Sequence, residues 1–161
     1  MFDDWWGKGD PRRMPTWHFH GGLHLDYASA VRADITKQED AICPRYWYID
    51  ATMACIKCGK EFCFTTTEQK LWYEDLQFSL SSFPKHCLGC RKALRNLKKL
   101  RKEYDRDIAD GLRGQSIEAK ERLAAVIDGL CEAGEHLPER IHENRRLLAR
   151  QIARIRGQVR G

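Results

Sequence analysis

The sequence predicts an α+β fold. A strand hairpin, a short helix and a long basic helix form a small module, and further C-terminal helices follow it. Three observations carry this reading. Two C-x-x-C pairs, Cys55/Cys58 and Cys87/Cys90, stand 28 residues apart. Strand-type side chains surround the first pair. From Leu88 onward, apolar residues recur at three- and four-residue steps, the period of an amphipathic helix.

The elements follow in order. Residues 1–42 read as an irregular arm, punctuated by Gly7, Gly9, Pro11, Pro15, Gly21 and Gly22. Its aromatics, Trp5, Trp6, Trp17 and Phe19, gain by packing on something else. A short helix is expected over residues 27–34. Tyr46, Trp47, Tyr48 and Ile49, then Phe62 and Phe64, predict two short strands that form a hairpin around Cys55-Ile-Lys-Cys58-Gly59. Thr65 with Glu68, or Thr66 with Gln69, fits a capping box. The short helix behind it carries Leu71, Trp72 and Leu76 to about Gln77. Residues 79–85 read as a loop.

A long helix then carries Leu94, Leu97, Leu100, Tyr104 and Ile108 on one stripe, and Gly111 and Gly114 are expected to end it. Ser116 caps a second helix with Leu123, Ile127, Leu130 and Cys131 on one side. Gly134 and Pro138 mark a turn. A third helix, over about residues 138–156, sets Ile141, Leu148, Ile152 and Ile155 on one face and arginines on the rest. The expected organisation is an arm over 1–42, a module over 43–107 and a basic helical extension over 108–161.

Composition narrows the function. The chain has 161 residues, 42% hydrophobic and 32% charged, enough for a core but charge-rich for one compact globule. The start, MFDDWWGKGD, has no basic n-region, apolar core or cleavage site, and no stretch approaches eighteen apolar residues. A cytoplasmic protein with no membrane partner is the expectation, and there seven cysteines read as metal ligands or free thiols rather than disulfides. The net charge of +5 is uneven: residues 85–107 carry +6, residues 139–161 carry +5, and the remainder sums to −6.

The cysteine pairs point to a metal. Two C-x-x-C pairs supply four soft ligands, and a two-residue spacer lets both sulfurs of a pair reach one ion. Gly59, directly after the first pair, permits the tight turn of a zinc knuckle. Cys87 and Cys90 sit at the start of the basic helix, whose partial positive charge favours thiolates. A knuckle hairpin followed by a helix N-terminus is the arrangement of a treble clef holding one structural Zn²⁺. A redox C-x-x-C lacks the surrounding βαβ pattern, and an iron–sulfur cluster suits this even spacing less well.

The stretch over residues 46–95 resembles the bacterial probable zinc-ribbon (treble-clef) domain family. The likeness lies in C-x-x-C-G-K-E-F-x-F-T, in E-Q-x-x-W-Y-E and in P-K-x-C-x-x-C-R. It covers under a third of the chain and implies that Cys55, Cys58, Cys87 and Cys90 are the zinc ligands. Glu68, Gln69, Trp72 and Tyr73, although clustered, read as structural: the first two serve the helix cap and the aromatics cover the hairpin. Arg91 is expected to hydrogen-bond carbonyls around the ligands.

Of the other cysteines, Cys63 and Cys131 read as buried free thiols. Cys43 with His18, His20 and His24 forms a weaker candidate for a second metal site, set against the plainer reading of a polar arm that contains histidines.

Arg91, Lys92, Arg95, Lys98, Lys99, Arg101 and Lys102 form an acid-free basic run, a candidate surface for nucleic-acid phosphates. The arginines at 140, 145, 146, 150, 154, 156 and 160 form a second patch. The same residues also fit solvated helix faces on a protein-interaction or structural module, with Ile141, Leu148, Ile152 and Ile155 as the contact face. Protein and nucleic acid both stand as partners. An enzyme is not expected, because a four-cysteine zinc is coordinatively closed and neither a nucleophile–base set nor a phosphate-binding glycine loop is present.

Overall fold

The computed structural model describes residues 6–19, 21–39, 42–134 and 136–159. The chain divides into two compact units, residues 1–90 and 91–161.

The first unit is built on a three-stranded antiparallel sheet in the order β1-β2-β3: β1 His24–Arg32, β2 Trp47–Ala54 and β3 Glu61–Phe64. Strands β2 and β3 form the expected hairpin, with Ala51 opposite Phe64 and Ala54 opposite Glu61. Strand β1 replaces the helix expected over 27–34. Ala28, Ser29 and Ala30 suit a helix locally, but pairing with β2 satisfies the backbone groups of both strands and overrides that preference. A bulge absorbs the mismatch between Asp26 and Val31. There the Ser29 hydroxyl donates to Asp26 O at 2.7 Å and accepts from the Asp50 N–H at 2.8 Å.

Adjacent residues of a strand point to opposite faces. Tyr48 and Ile49 are nevertheless both fully buried, because both faces of β2 are covered. Tyr48 clusters with Met53, Phe64 and Tyr73, flanked by Trp72, Leu80 and Phe83. Ile49 clusters with Met14 and Phe19. Of the N-terminal aromatics, Phe19 packs on the sheet while Trp17 stays largely exposed, and Trp47 Nε1 donates to Gly7 O at 2.9 Å. Trp6 and Trp17 meet edge to face, while Trp5 lies outside the described residues.

Helix α1, Thr66–Lys70, begins as predicted, with the Thr65 hydroxyl accepting from the Glu68 N–H at 3.2 Å. Asp50 Oδ1 accepts from the Thr66 N–H at 2.6 Å, which ties this end to the sheet. The helix continues as one π-helical turn over Leu71–Asp75, and Gln77, at φ +49°, lies beyond its end. Gln69 does not serve the cap. It is buried, and its Nε2 donates to Ile49 O at 2.6 Å and Phe64 O at 2.8 Å. Trp72 and Tyr73 pack against Phe64, in the structural role expected of them.

Helix α2 spans Leu88–Arg113, α3 spans Ile117–Glu132 and α4 spans Glu139–Val159. In the second unit, Leu123, Ala124, Ile127 and Leu148 form one cluster, and Leu97, Leu130 and Leu137 another. Ser116 caps α3 through the Ala119 N–H. Gly111 lies inside α2 rather than ending it: a Cβ there would stand 2.5 Å from Leu123 Cδ2, so the missing side chain allows the close approach. Lys120 is buried, and its ammonium caps α2 by donating to Gly111 O at 3.1 Å, with Gln151 Oε1 at 2.8 Å. Ile141, Leu148 and Ile152 pack inside this unit, so the apolar face predicted on α4 is largely used within the chain. No helix among the described residues is long and apolar enough to cross a membrane.

Candidate metal centre

The turn between β2 and β3 brings the first cysteine pair together. The Gly59 N–H donates to Cys55 O at 2.8 Å with Gly59 at φ +73°, a conformation glycine adopts without a Cβ clash. The Cys55 N–H donates to Lys60 O at 2.9 Å and closes the loop. The Ile56 N–H donates to Lys85 O at 3.0 Å, which pins the segment before the second pair against the turn. Cys87 and Cys90 stand where α2 starts.

The ligand atoms of Cys55, Cys58, Cys87 and Cys90 all lie within 4.8 Å of one another. Thiolates arranged tetrahedrally at the usual zinc–sulfur distance stand about 3.8 Å apart. Cys58 Sγ and Cys87 Sγ are separated by 3.8 Å. Cys55 is buried, Cys87 and Cys90 are half-buried and Cys58 is exposed.

The electrostatics fit a cation. Burial works against ionising Cys55, yet backbone N–H groups of Cys87, Cys58 and Lys57 outweigh it and bring its thiol down to about 6. The Cys90 N–H, at the helix start, holds the Cys87 thiol below its usual range. Cys90 is pushed up to about 12, first by its hydrogen bond with Cys87 and then by burial and the neighbouring sulfurs. Four thiolates this close repel one another unless a cation lies among them.

Among the described residues this is the one group of three or more histidines, cysteines or acids placed to share a metal. His18, His24 and Cys43 are not gathered, and His20 lies outside the described residues. His18 is buried under Trp17, at 4.0 Å between ring centroids. Cys63 and Cys131, expected to be buried, are exposed. Phe62 and Phe64 take the packed face of β3, and the opposite face, where Cys63 points, is open. Cys131 lies in the last turn of α3, beyond the core formed by Leu123, Ile127 and Leu130.

The basic run on α2 divides. Lys92, Arg95, Lys98, Lys99 and Lys102 are exposed along one face of the helix, and Arg106 extends that face by one turn. Arg95, Lys98, Lys99, Lys102 and Arg106 line a shallow concavity together with Glu103. Arg106 was not among the sequence candidates, although its four-residue step from Lys102 was the available signal. Arg101 lies off this face, near Tyr104, Leu137 and Ile141, and Arg91 is half-buried. On α4, Arg145 pairs with Asp128, Arg146 with Glu139 and Arg156 with Glu121, at 2.7, 3.1 and 2.7 Å. Arg160 lies outside the described residues.

Residues 49–99 match the family model described as a probable treble clef domain, so the module that carries the four cysteines is a treble clef. No curated protein and no solved structure matches the chain.

Proposed function

We propose that the chain is a small structural zinc-binding module that works by presenting a surface to a macromolecular partner, not by catalysis. The observation behind this reading is the closeness of four cysteine sulfurs, all within 4.8 Å of one another and one pair 3.8 Å apart. Cys55 and Cys58, from the hairpin turn, and Cys87 and Cys90, from the start of α2, hold the ion. Bound Zn²⁺ would offset two of the four thiolate charges and cross-link the two segments. Four sulfurs fill its coordination sites, leaving none for a reacting water. The protein atoms therefore do structural work: backbone N–H groups orient the sulfurs, and the Ile56–Lys85 hydrogen bond keeps the two pairs in register.

Metal analysis of protein purified without added zinc tests this reading. About one zinc per chain is expected, released in step with the appearance of four reactive thiols. A well-folded, zinc-free preparation sinks it.

A further inference from the structure

We propose that the exposed basic face of α2 binds the phosphodiester backbone of a nucleic-acid duplex. The inference rests on the reading of the chain as an interaction module and names the partner.

The face consists of Lys92, Arg95, Lys99, Lys102 and Arg106, at alternating three- and four-residue steps, with Lys98 beside Lys99. From Lys92 to Arg106 it runs about 21 Å at the helical rise of about 1.5 Å per residue. One strand of a duplex places about six phosphates along that length, at about 3.4 Å each. Because the strand winds about the duplex axis, a straight row of charges at one-turn intervals reaches only part of that set, about four phosphates.

Charge on α4 is partly taken up within the second unit, whereas four of the six basic residues on the α2 face have no acidic partner among the described residues. Three α4 arginines are held by Asp128, Glu139 and Glu121. On α2, Lys92, Arg95, Lys98 and Lys102 have no ion pair among the described residues. Lys99 has a single contact to Glu103 at 3.7 Å with the lysine largely in solvent, and Arg106 pairs with its neighbour Asp107. Exposed pairs of this kind exchange for a better anion at little cost.

The face also lacks what a protein interface needs. A stable protein contact is anchored by apolar or aromatic side chains at its centre. The apolar residues Leu97, Leu100 and Tyr104 of α2 are turned into the second unit's own core. What remains outside between Lys92 and Arg106 is mainly basic charge, with Leu88 exposed one turn before it, which suits a polyanion read by its backbone rather than by base edges.

The test is a salt titration of the full zinc-loaded chain against fluorescein-labelled 20-base-pair DNA and RNA duplexes, with poly-glutamate of equal charge as the third arm. With about four phosphate contacts, log affinity should fall against log salt with a slope of about −3.6, about 150-fold between 50 and 200 mM. The Lys98→Glu/Lys102→Glu variant should bind at least tenfold more weakly with a shallower slope. Lys98→Arg/Lys102→Arg should bind like the parent, and so should Arg154→Glu, which changes an exposed arginine on α4. Whichever duplex binds more tightly identifies the backbone geometry preferred. Absence of binding at 50 mM salt, full binding by the charge-reversed variant, or poly-glutamate binding as tightly as both duplexes overturns the proposal. The last result would assign the face to an acidic protein. Zinc content measured on the same samples separates this failure from failure of the metal-module reading: a zinc-loaded, folded chain that ignores both duplexes loses the partner and keeps the module.

Discussion

Gln69 Nε2 donates to the main-chain oxygen of Ile49 at 2.6 Å, and the same amide group reaches Phe64 O at 2.8 Å. One side chain from α1 thus holds β2 and β3 at once. Its own Oε1 is buried without a hydrogen-bond partner, so its contribution comes through the NH₂ donors. Gln69→Leu should leave both carbonyls unsatisfied and lower stability by about 2–4 kcal/mol. Urea unfolding of the zinc-loaded protein measures this, and a change below about 0.5 kcal/mol would mean that the carbonyls find other partners.

Replacing a sulfur tests the metal centre by a different route. Cys58→Ser and Cys90→Ser should each lower retained zinc well below one per chain. Because zinc–thiolate binding is coupled to folding, each should also lower the melting temperature of the first unit by about 10 °C or more. Chelation of the parent protein should reach a similar end point. Serine variants that keep both zinc and melting temperature would remove those residues from the ligand set.

Two glycines in helices should respond to alanine with opposite signs. At Gly111, a new Cβ would stand 2.5 Å from Leu123 Cδ2 and 2.8 Å from Leu123 Cβ. Overpacking should cost about 1–3 kcal/mol, more than the helix propensity gained. At Gly157 nothing lies within 4 Å, so Gly157→Ala should stabilise α4 by about 0.5–1 kcal/mol. Thermal melts of the two variants displaced in the same direction would contradict this account.

The exposed thiol of Cys63 should be sluggish. Burial on one side, then the charges of Asp50 and Asp26, raise its pKa, so less thiolate is present at neutral pH. Alkylation of the zinc-loaded protein with iodoacetamide, mapped by mass spectrometry, should be slow at Cys63 at pH 7 and accelerate as the pH rises past 9. Asp50→Asn should speed the neutral-pH reaction. A rate independent of both changes would show that access, not ionisation, limits it.

What the sequence revealed was local. The cysteine pairs were legible because a two-residue spacer and a following glycine specify a turn within a few positions, and Thr65 and Ser116 announced their helices for the same reason. Strand β1 was hidden because its pairing with β2 depends on a chain reversal over the fourteen residues 33–46, while its own Ala-Ser-Ala core favours a helix. Gln69 was misread because a glutamine near a helix start fits a capping box, and only the folded hairpin shows two carbonyls within its reach. The burial of Cys63 and Cys131 was overestimated for a related reason. A strand or helix pattern tells which side a residue takes but not whether that side is covered. The arginines of α4 looked equivalent in sequence; their division into paired and unpaired groups follows from Asp128 and Glu121 on α3, which helix packing brings alongside, and from Glu139 in the first turn of α4 itself.

Strand β2 lies in the middle of the sheet, yet the stretch recognisable as a treble clef starts at residue 49, inside that strand. A fragment cut there would carry all four cysteines but would lose β1 and two residues of its own central strand. An interior strand would become a bare edge, with unpaired N–H and C=O groups open to another chain. Zinc could still close the knuckle of such a fragment, but it could not shield that edge. The portion of the chain that a motif delimits is therefore shorter than the portion that covers its own central strand.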